Sequence, residues 1–367
     1  MTELELRELL RNITPPNAEV LEQARRRQAE LAKPPASLGA LEDYAVRLAG
    51  ITGQPRPQMN KCRILVFAAD NGVVAEGVSS APPSVTLAQA INMTRYVTGM
   101  SAMAHHFGDE VRVTDVGIDT AQRFPAILDR RIRRSTGNIA REPALTRRQV
   151  LDAIDVGVEA ARQAAADGVT AVGIGEMGIG NTTTSAAVLA ALTDSTVEAV
   201  TGRGGGLTDA GFERKKAVIR QALALHRPKK DDPLGVLAAV GGLDLAAMTG
   251  AFLGCAANRV PAVVDGYISV VAALCAVRLC PTVREYLFLS HASYELGYRT
   301  AAQELGLTPC LLLNMRLGEG SGCPIFFRVL EAACAAMNDM ATFAEAEIRD
   351  DYLEPIRAQD SFTVERL

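Results

Sequence analysis

Val169-Thr-Ala-Val-Gly-Ile-Gly-Glu-Met-Gly-Ile-Gly-Asn-Thr-Thr-Thr184 is the stretch on which the fold turns. Its first half, Val169–Gly175, is a mainly apolar run without period-two alternation. Such a run suits a strand buried on both faces. It stops at a carboxylate, Glu176. Glycines then open a loop, and Asn181 with three threonines reads as the start of a helix. Strand, glycine loop and helix in succession are the repeating unit of a parallel sheet.

The same texture recurs along the chain. Ile64–Ala69 ends at Asp70, Val111–Thr114 at Asp115, Pro261–Val264 at Asp265 and Tyr286–Leu289 at Ser290-His291. Cys310–Leu313 leads to Arg316 and Glu319. With Val169–Gly175 that makes six candidate strands, hence an α/β fold with a mainly parallel sheet between helices. Ligands in open α/β sheets bind outside the carboxyl ends of the strands. The polar residues at those ends are therefore the candidate site.

The flanks differ in texture. Ala18–Ala32 is rich in good helix formers, and Leu41–Leu48 carries apolar residues at helical spacing. Ile51–Asn60 is a Pro/Gly-bearing linker. Val329–Ile348 is Ala/Met-rich and helical in pattern. The expected division is a small helical domain from 1–60 and 329–367, and a catalytic domain over 61–328.

Composition narrows the class. The 367 residues are 48% hydrophobic and 22% charged, which excludes a disordered or collagen-like chain. Lys plus Arg is 38 against 42 for Asp plus Glu, a net charge of −4, so no basic excess points to nucleic acid or to a membrane surface. The apolar runs near Ala246–Ala257 and Gly266–Val277 fall short of the roughly 20 residues a membrane span needs. Seven cysteines without CxxC spacing argue against a zinc site or a disulfide framework. A cytoplasmic protein with no metal is expected. Arg130-Arg131-Ile132-Arg133-Arg134 reads as a solvated loop.

Three glycine-rich segments carry the chemistry. Gly173-Ile-Gly175-Glu-Met-Gly178 matches GxGxxG, the pattern of dinucleotide sites. Glu176 inside that loop would repel a pyrophosphate, whereas Gly180-Asn181-Thr182 at a helix start suits a monophosphate. A tight turn is the plain alternative. Thr201-Gly-Arg-Gly-Gly-Gly-Leu-Thr-Asp209, followed by Lys215, reads equally as a flexible turn or as an anion loop whose amides and lysine meet a phosphate. In Arg316-Leu-Gly318-Glu319-Gly320-Ser321-Gly322, Glu319 is either a solvated loop residue or a general base. His105-His106 point about 100° apart on a helix, which does not suit a shared metal.

Taken together, these segments resemble the nicotinate-nucleotide:dimethylbenzimidazole phosphoribosyltransferase family of cobamide assembly. The resemblance also rests on Lys33-Pro-Pro-Ala-Ser-Leu-Gly39, Asp70-Asn-Gly-Val73, Gln89-Ala-Ile-Asn-Met-Thr94, Asp115-Val-Gly-Ile118, Gly137-Asn-Ile-Ala140, Gly241–Gly250, Asp265-Gly-Tyr-Ile-Ser269 and Ser290-His291. It spans nearly the whole chain. It implies a Rossmann-like large domain, a small helical domain from both chain ends, and a homodimer or a heterodimer with a related chain. No cofactor or metal is implied; nicotinate mononucleotide is a substrate, and an aromatic base takes its ribose phosphate.

Carried over position by position, the resemblance makes Glu319 the catalytic base and puts Glu176 in the active site. It puts Gly175, Gly178, Gly180, Asn181, Thr182, Gly204, Lys215 and Ser290 on the nucleotide and its phosphate. It puts Asn71, Ala81, Gln89 and Leu317 in the base pocket. Three positions depart from the family pattern: Asn71 replaces a histidine, Ala81 stands where serine is frequent, and Cys323 where alanine is usual. Loss of polar groups at Asn71 and Ala81 would suit a phenolic acceptor such as phenol or p-cresol, used by two-chain relatives. Two readings of other classes are a nucleotide-dependent oxidoreductase and a non-catalytic nucleotide-binding paralogue. Retention of both Glu176 and Glu319 argues against the paralogue.

Overall fold

Cys-Arg-Ile-Leu-Val-Phe-Ala-Ala, residues Cys62–Ala69, forms strand β1, and all eight residues are buried. A strand covered by helices on both faces has to be apolar throughout. The structure is a computed structural model and describes residues 1–357. Its other strands are β2 (Glu110–Gly117), β3 (Leu128–Asp129), β4 (Ala171–Met177), β5 (Ala262–Val264) and β6 (Leu287–Leu289). Every neighbouring pair is parallel, and the order is β3-β2-β1-β4-β5-β6. That is a Rossmann-like order, in which the winding reverses between β1 and β4 and leaves a crevice outside their carboxyl ends.

The α/β reading holds, with one exchange of strands. Cys310–Leu313 is not a strand. It meets the sheet through a single parallel bridge, His291 to Leu311, and Asn314 then turns left-handed at φ 52°. Leu312 is 79% exposed, so the apolar run is not a buried one. The sixth strand is instead the two-residue β3. The basic run also departs from expectation at one residue. Arg133 and Arg134 are exposed, but the Arg131 guanidinium is buried against Asp115 as an ion pair.

The helix Leu243–Ala257 is buried on nearly every side, as a helix apolar around most of its circumference must be. It packs on the helix Arg147–Ala166 through glycines from both partners. A Cβ on Gly157 would overlap the Ala247 carbonyl, and one on Gly250 would overlap the Ile154 carbonyl. Only glycine permits so close an approach of two helix backbones. Among the described residues no helix is long and apolar enough to cross a membrane.

The chain forms two units. One comprises Met1–Thr14 with Asn60–Phe326; the other comprises Pro15–Met59 with the residues from Phe327 onward. The first helix, Glu3–Asn12, thus joins the large unit rather than the small one expected from the sequence. The reason is visible in its partners: Leu6 is buried, Glu3 pairs with Arg147, and the Tyr286 hydroxyl donates to Thr14 O at 2.7 Å. In the small unit, Ala18–Glu30 and Ala40–Thr52 pack together, and Arg27 donates to the carbonyls of Met337 and Met340. A buried Lys33–Glu42 ion pair of 2.8 Å ties its Pro-rich turn down.

Candidate active site

The strand ends converge on three carboxylates. Glu176 lies in β4, opposite Phe67 of β1. One Glu176 oxygen accepts from Asn181 Nδ2 and the other accepts from the Glu319 N–H at 3.2 Å. Asn181 Nδ2 also donates to Asp244 Oδ2 at 3.1 Å, so one amide bridges two acids. Burial pushes Glu176 up to about 8, and the neighbouring Asp244 adds to the effect. Burial likewise raises Asp244 to about 6. Near neutral pH, Glu176 therefore holds a proton for much of the time.

Glu319 is held by its backbone. It sits at φ 65° between Gly318 at 81° and Gly320 at 90°, three successive left-handed residues. A side-chain-bearing residue in that region costs on the order of 1 kcal/mol, so the surroundings must enforce it. They do so from two sides. Asp265, just beyond β5, accepts from Gly320 N at 3.1 Å and Gly322 N at 2.7 Å. On β4, Gly175 leaves room for the Glu319 carbonyl, which any Cβ would overlap. The Glu319 carboxylate accepts from Met100 N at 3.2 Å, and burial raises its pKa above the ordinary glutamate value. A carboxyl of this kind is suited to take a proton near neutral pH.

A cleft of about 260 Å³ runs past Glu319 and Glu176. Its lining includes the apolar side chains of Val78, Ala81, Val85 and Leu317, the Gln89 amide, and Ser79 and Ser80. Asn92 Nδ2 donates to Gln89 Oε1 at 3.1 Å and so orients that amide. It also includes Gly180, Thr182, Arg203 and Gly204. Gly180, at φ 92°, caps the helix Asn181–Thr193. The Lys215 ammonium is buried beneath, donating to Thr182 Oγ1 at 2.8 Å and Gly202 O at 3.0 Å. Burial lowers its pKa to about 8. The cleft thus joins apolar side chains, buried acids and anion-seeking groups in one lining.

The structure brings together most of the residues singled out from sequence. Glu176, Glu319, Gly178, Gly180, Asn181, Thr182, Gly204, Ala81, Gln89 and Leu317 all line the cleft. Lys215 and Gly175 stand directly behind it. Two residues lie elsewhere. Asn71, expected in the base pocket, is buried and donates to Ile179 O at 3.3 Å, outside the lining. Ser290, expected on the nucleotide, is fully buried and hydrogen-bonds to Asp265 O and His291 Nδ1. Both follow a strand, but a strand-end position does not determine which way a side chain turns. Cys323 is buried against Val263 O and is not in the lining. Sequence reasoning passed over Glu295, and it quoted the segments holding Asp244 and Arg203 without giving either residue a role. Asp265 was seen as a strand end and as the start of Asp265–Ser269, again without a role.

Comparison with known proteins gives a consistent picture. Residues 13–348 match a family model described as a phosphoribosyltransferase. A nicotinate-nucleotide–dimethylbenzimidazole phosphoribosyltransferase of Clostridium perfringens (strain ATCC 13124) is 46% identical over 98% of this chain and 99% of its own. That of Geobacter metallireducens is also 46% identical, over 94% and 98%. A crystal structure of the enzyme of that name from Thermus thermophilus superposes with a TM-score of 0.86 at 40% identity, covering 91% of this chain and 99% of the other.

Proposed function

The chain belongs to the nicotinate-nucleotide–dimethylbenzimidazole phosphoribosyltransferase family, and from that membership we infer that it transfers the ribose 5-phosphate of nicotinate mononucleotide to an aromatic base. With dimethylbenzimidazole the products are the α-riboside phosphate of the base and nicotinate, the former serving cobamide assembly. The protein is an enzyme, a pentosyltransferase, and this reading needs no resident cofactor or metal.

One observation carries the reading: Glu319 is fixed in the lining of a cleft that also offers apolar side chains and anion-seeking groups. The base would lie among Val78, Ala81, Gln89 and Leu317. The phosphate would meet Gly204, Thr182 and the charge of Lys215. One ring nitrogen of the base attacks C1′ of the ribose while Glu319 takes the proton from the other. The glycosidic electron pair leaves with the pyridine nitrogen, whose positive charge it cancels, so no acid is needed at the leaving group. Attack opposite that group inverts β to α. Glu176, hydrogen-bonded to the Glu319 N–H, keeps the base in place and, holding its proton, does not repel it.

For the acceptor, Ala81 lines the cleft and Asn71 does not. A preference for phenolics therefore has only Ala81 to support it, and benzimidazoles are the favoured class. Seven free cysteines suit a reducing compartment such as the cytoplasm. Tyr294, Leu296, Leu312 and Leu313 expose apolar surface on adjacent segments, which suits a homodimer or a heterodimer with a related chain.

Glu319→Gln tests the central role. Its turnover of nicotinate mononucleotide with dimethylbenzimidazole, read by mass spectrometry, is expected to fall by roughly 10² to 10⁴-fold with the melting temperature little changed. Turnover near the wild-type rate would remove Glu319 as the base.

A further inference from the structure

The Gly202–Gly206 loop already faces an anion that comes from the chain itself. Glu295, in the segment after β6, lies so close to Gly202 that a Cβ there would overlap its Oε2. Three groups favour the charged form of Glu295: the Lys215 ammonium, the Arg316 guanidinium and the Gly204 N–H. Burial opposes them and raises its pKa. Thr182, Arg203, Gly204, Glu295 and Arg316 all line the cleft. A backbone N–H and two cations around one carboxylate are also the donors that a phosphate monoester requires. A phosphate, with close to two negative charges, cannot share them at contact distance with a fixed carboxylate.

We propose that the Glu295 carboxylate stands in for the substrate phosphate before substrate binds and leaves the cradle when a nucleotide 5′-phosphate enters. The proposal rests on the phosphoribosyl reading given above. It accounts for a carboxylate in a place built for anions. Glu295 is the carboxylate on which both the Lys215 ammonium and the Arg316 guanidinium act. The movement asked for is of the side chain: the backbone beside it is held, Ala292 N and Tyr294 N donating to Leu311 O and Met315 O at 2.9 Å, while residues 292–297 form neither helix nor strand. A nucleotide must therefore displace a tethered competitor, whereas a nucleoside without phosphate leaves Glu295 where it is.

Glu295→Gln keeps the shape and removes the charge. Calorimetry with inorganic phosphate is expected to show binding tightened roughly fivefold, the scale of one like-charge contact in a water-like dielectric. The KM for nicotinate mononucleotide should fall by a similar factor. The kcat/KM ratio of nicotinate mononucleotide to nicotinate riboside should widen, which a merely structural role would not produce. Phosphate binding that is unchanged or weaker in Glu295→Gln would overturn the proposal. Lys215→Met, or Thr182→Val should that variant not fold, tests the cradle itself. Undiminished phosphate binding there would overturn the phosphate assignment, whatever Glu295→Gln does.

Discussion

At the scale of the residue, the chemistry depends on who holds Glu319. Asp265 accepts from two N–H groups, those of Gly320 and Gly322, and so pins the left-handed turn at both shoulders. An asparagine offers only one acceptor oxygen and turns its NH2 towards an N–H. Asp265→Asn is therefore expected to lower kcat by about 10 to 100-fold through misplacement of the base, with KM for the nucleotide changed far less. Steady-state kinetics at saturating nucleotide decide it, and an unaltered kcat would show that the turn stands without Asp265. Much of this was legible beforehand. A carboxylate set among glycines singles out Glu176 and Glu319 from the sequence alone. What was not legible is direction. Asn71 and Ser290 have suitable chemistry at suitable places but turn into the interior, and nothing in their neighbours' identities says so. Glu295 gave no signal at all, because its loop has no pattern.

At the scale of the element, glycine separates two kinds of requirement. Gly250 is demanded by a neighbour: a Cβ would overlap the Ile154 carbonyl on the facing helix. Gly168 is demanded only by its own backbone, at φ 75° with nothing within 4 Å. Gly250→Ala is expected to cost about 2–4 kcal/mol, because two rigid helices must separate. Gly168→Ala should cost only about 1 kcal/mol, the left-handed penalty. Denaturant unfolding of both variants measures the difference, and equal losses would mean that the helix pair yields easily. The sequence disclosed the burial of both apolar runs but not this contact, since a glycine inside an apolar helix has no mark to show what it touches. Strands read the same way. β1 declares itself through eight buried residues. β3 has only two residues and is held by pairing with Thr114 and Asp115, which no local pattern encodes. Cys310–Leu313 shows the converse, an apolar run that the chain leaves in solvent.

At the scale of the whole molecule, the buried acids set how stability responds to pH. The Glu176 pKa is raised from 4.5 to about 8, and Asp244 rises from 3.8 to about 6. The folded chain then holds more protons than the unfolded one between those values, so stability falls as pH rises through them. Lys215 acts oppositely. Its pKa is lowered from 10.5 to about 8, so between 8 and 10.5 the unfolded chain binds the extra proton, which favours recovery. Stability should decline from about pH 5 to pH 8, recover up to about pH 9, and fall again above it. There Cys275 and Cys334, both raised by burial from 9.0 to about 12, keep in the folded chain protons that the unfolded chain loses. Glu176→Gln should flatten the declining arm below pH 8 by a few kcal/mol. Thermal unfolding across the range reads this, and a wild-type curve as flat as the variant's would refute it. The strand order has one more consequence, which concerns synthesis. β1 must pair with β4, more than a hundred residues later in the chain, and the turn that carries Glu319 is locked by Asp265 and Gly175 from two further segments. On the ribosome, the early strands emerge long before their partners and wait with their edges uncovered. No fragment that stops short of Glu319 contains the reactive centre, so the growing chain gains its chemistry in one step, late in translation.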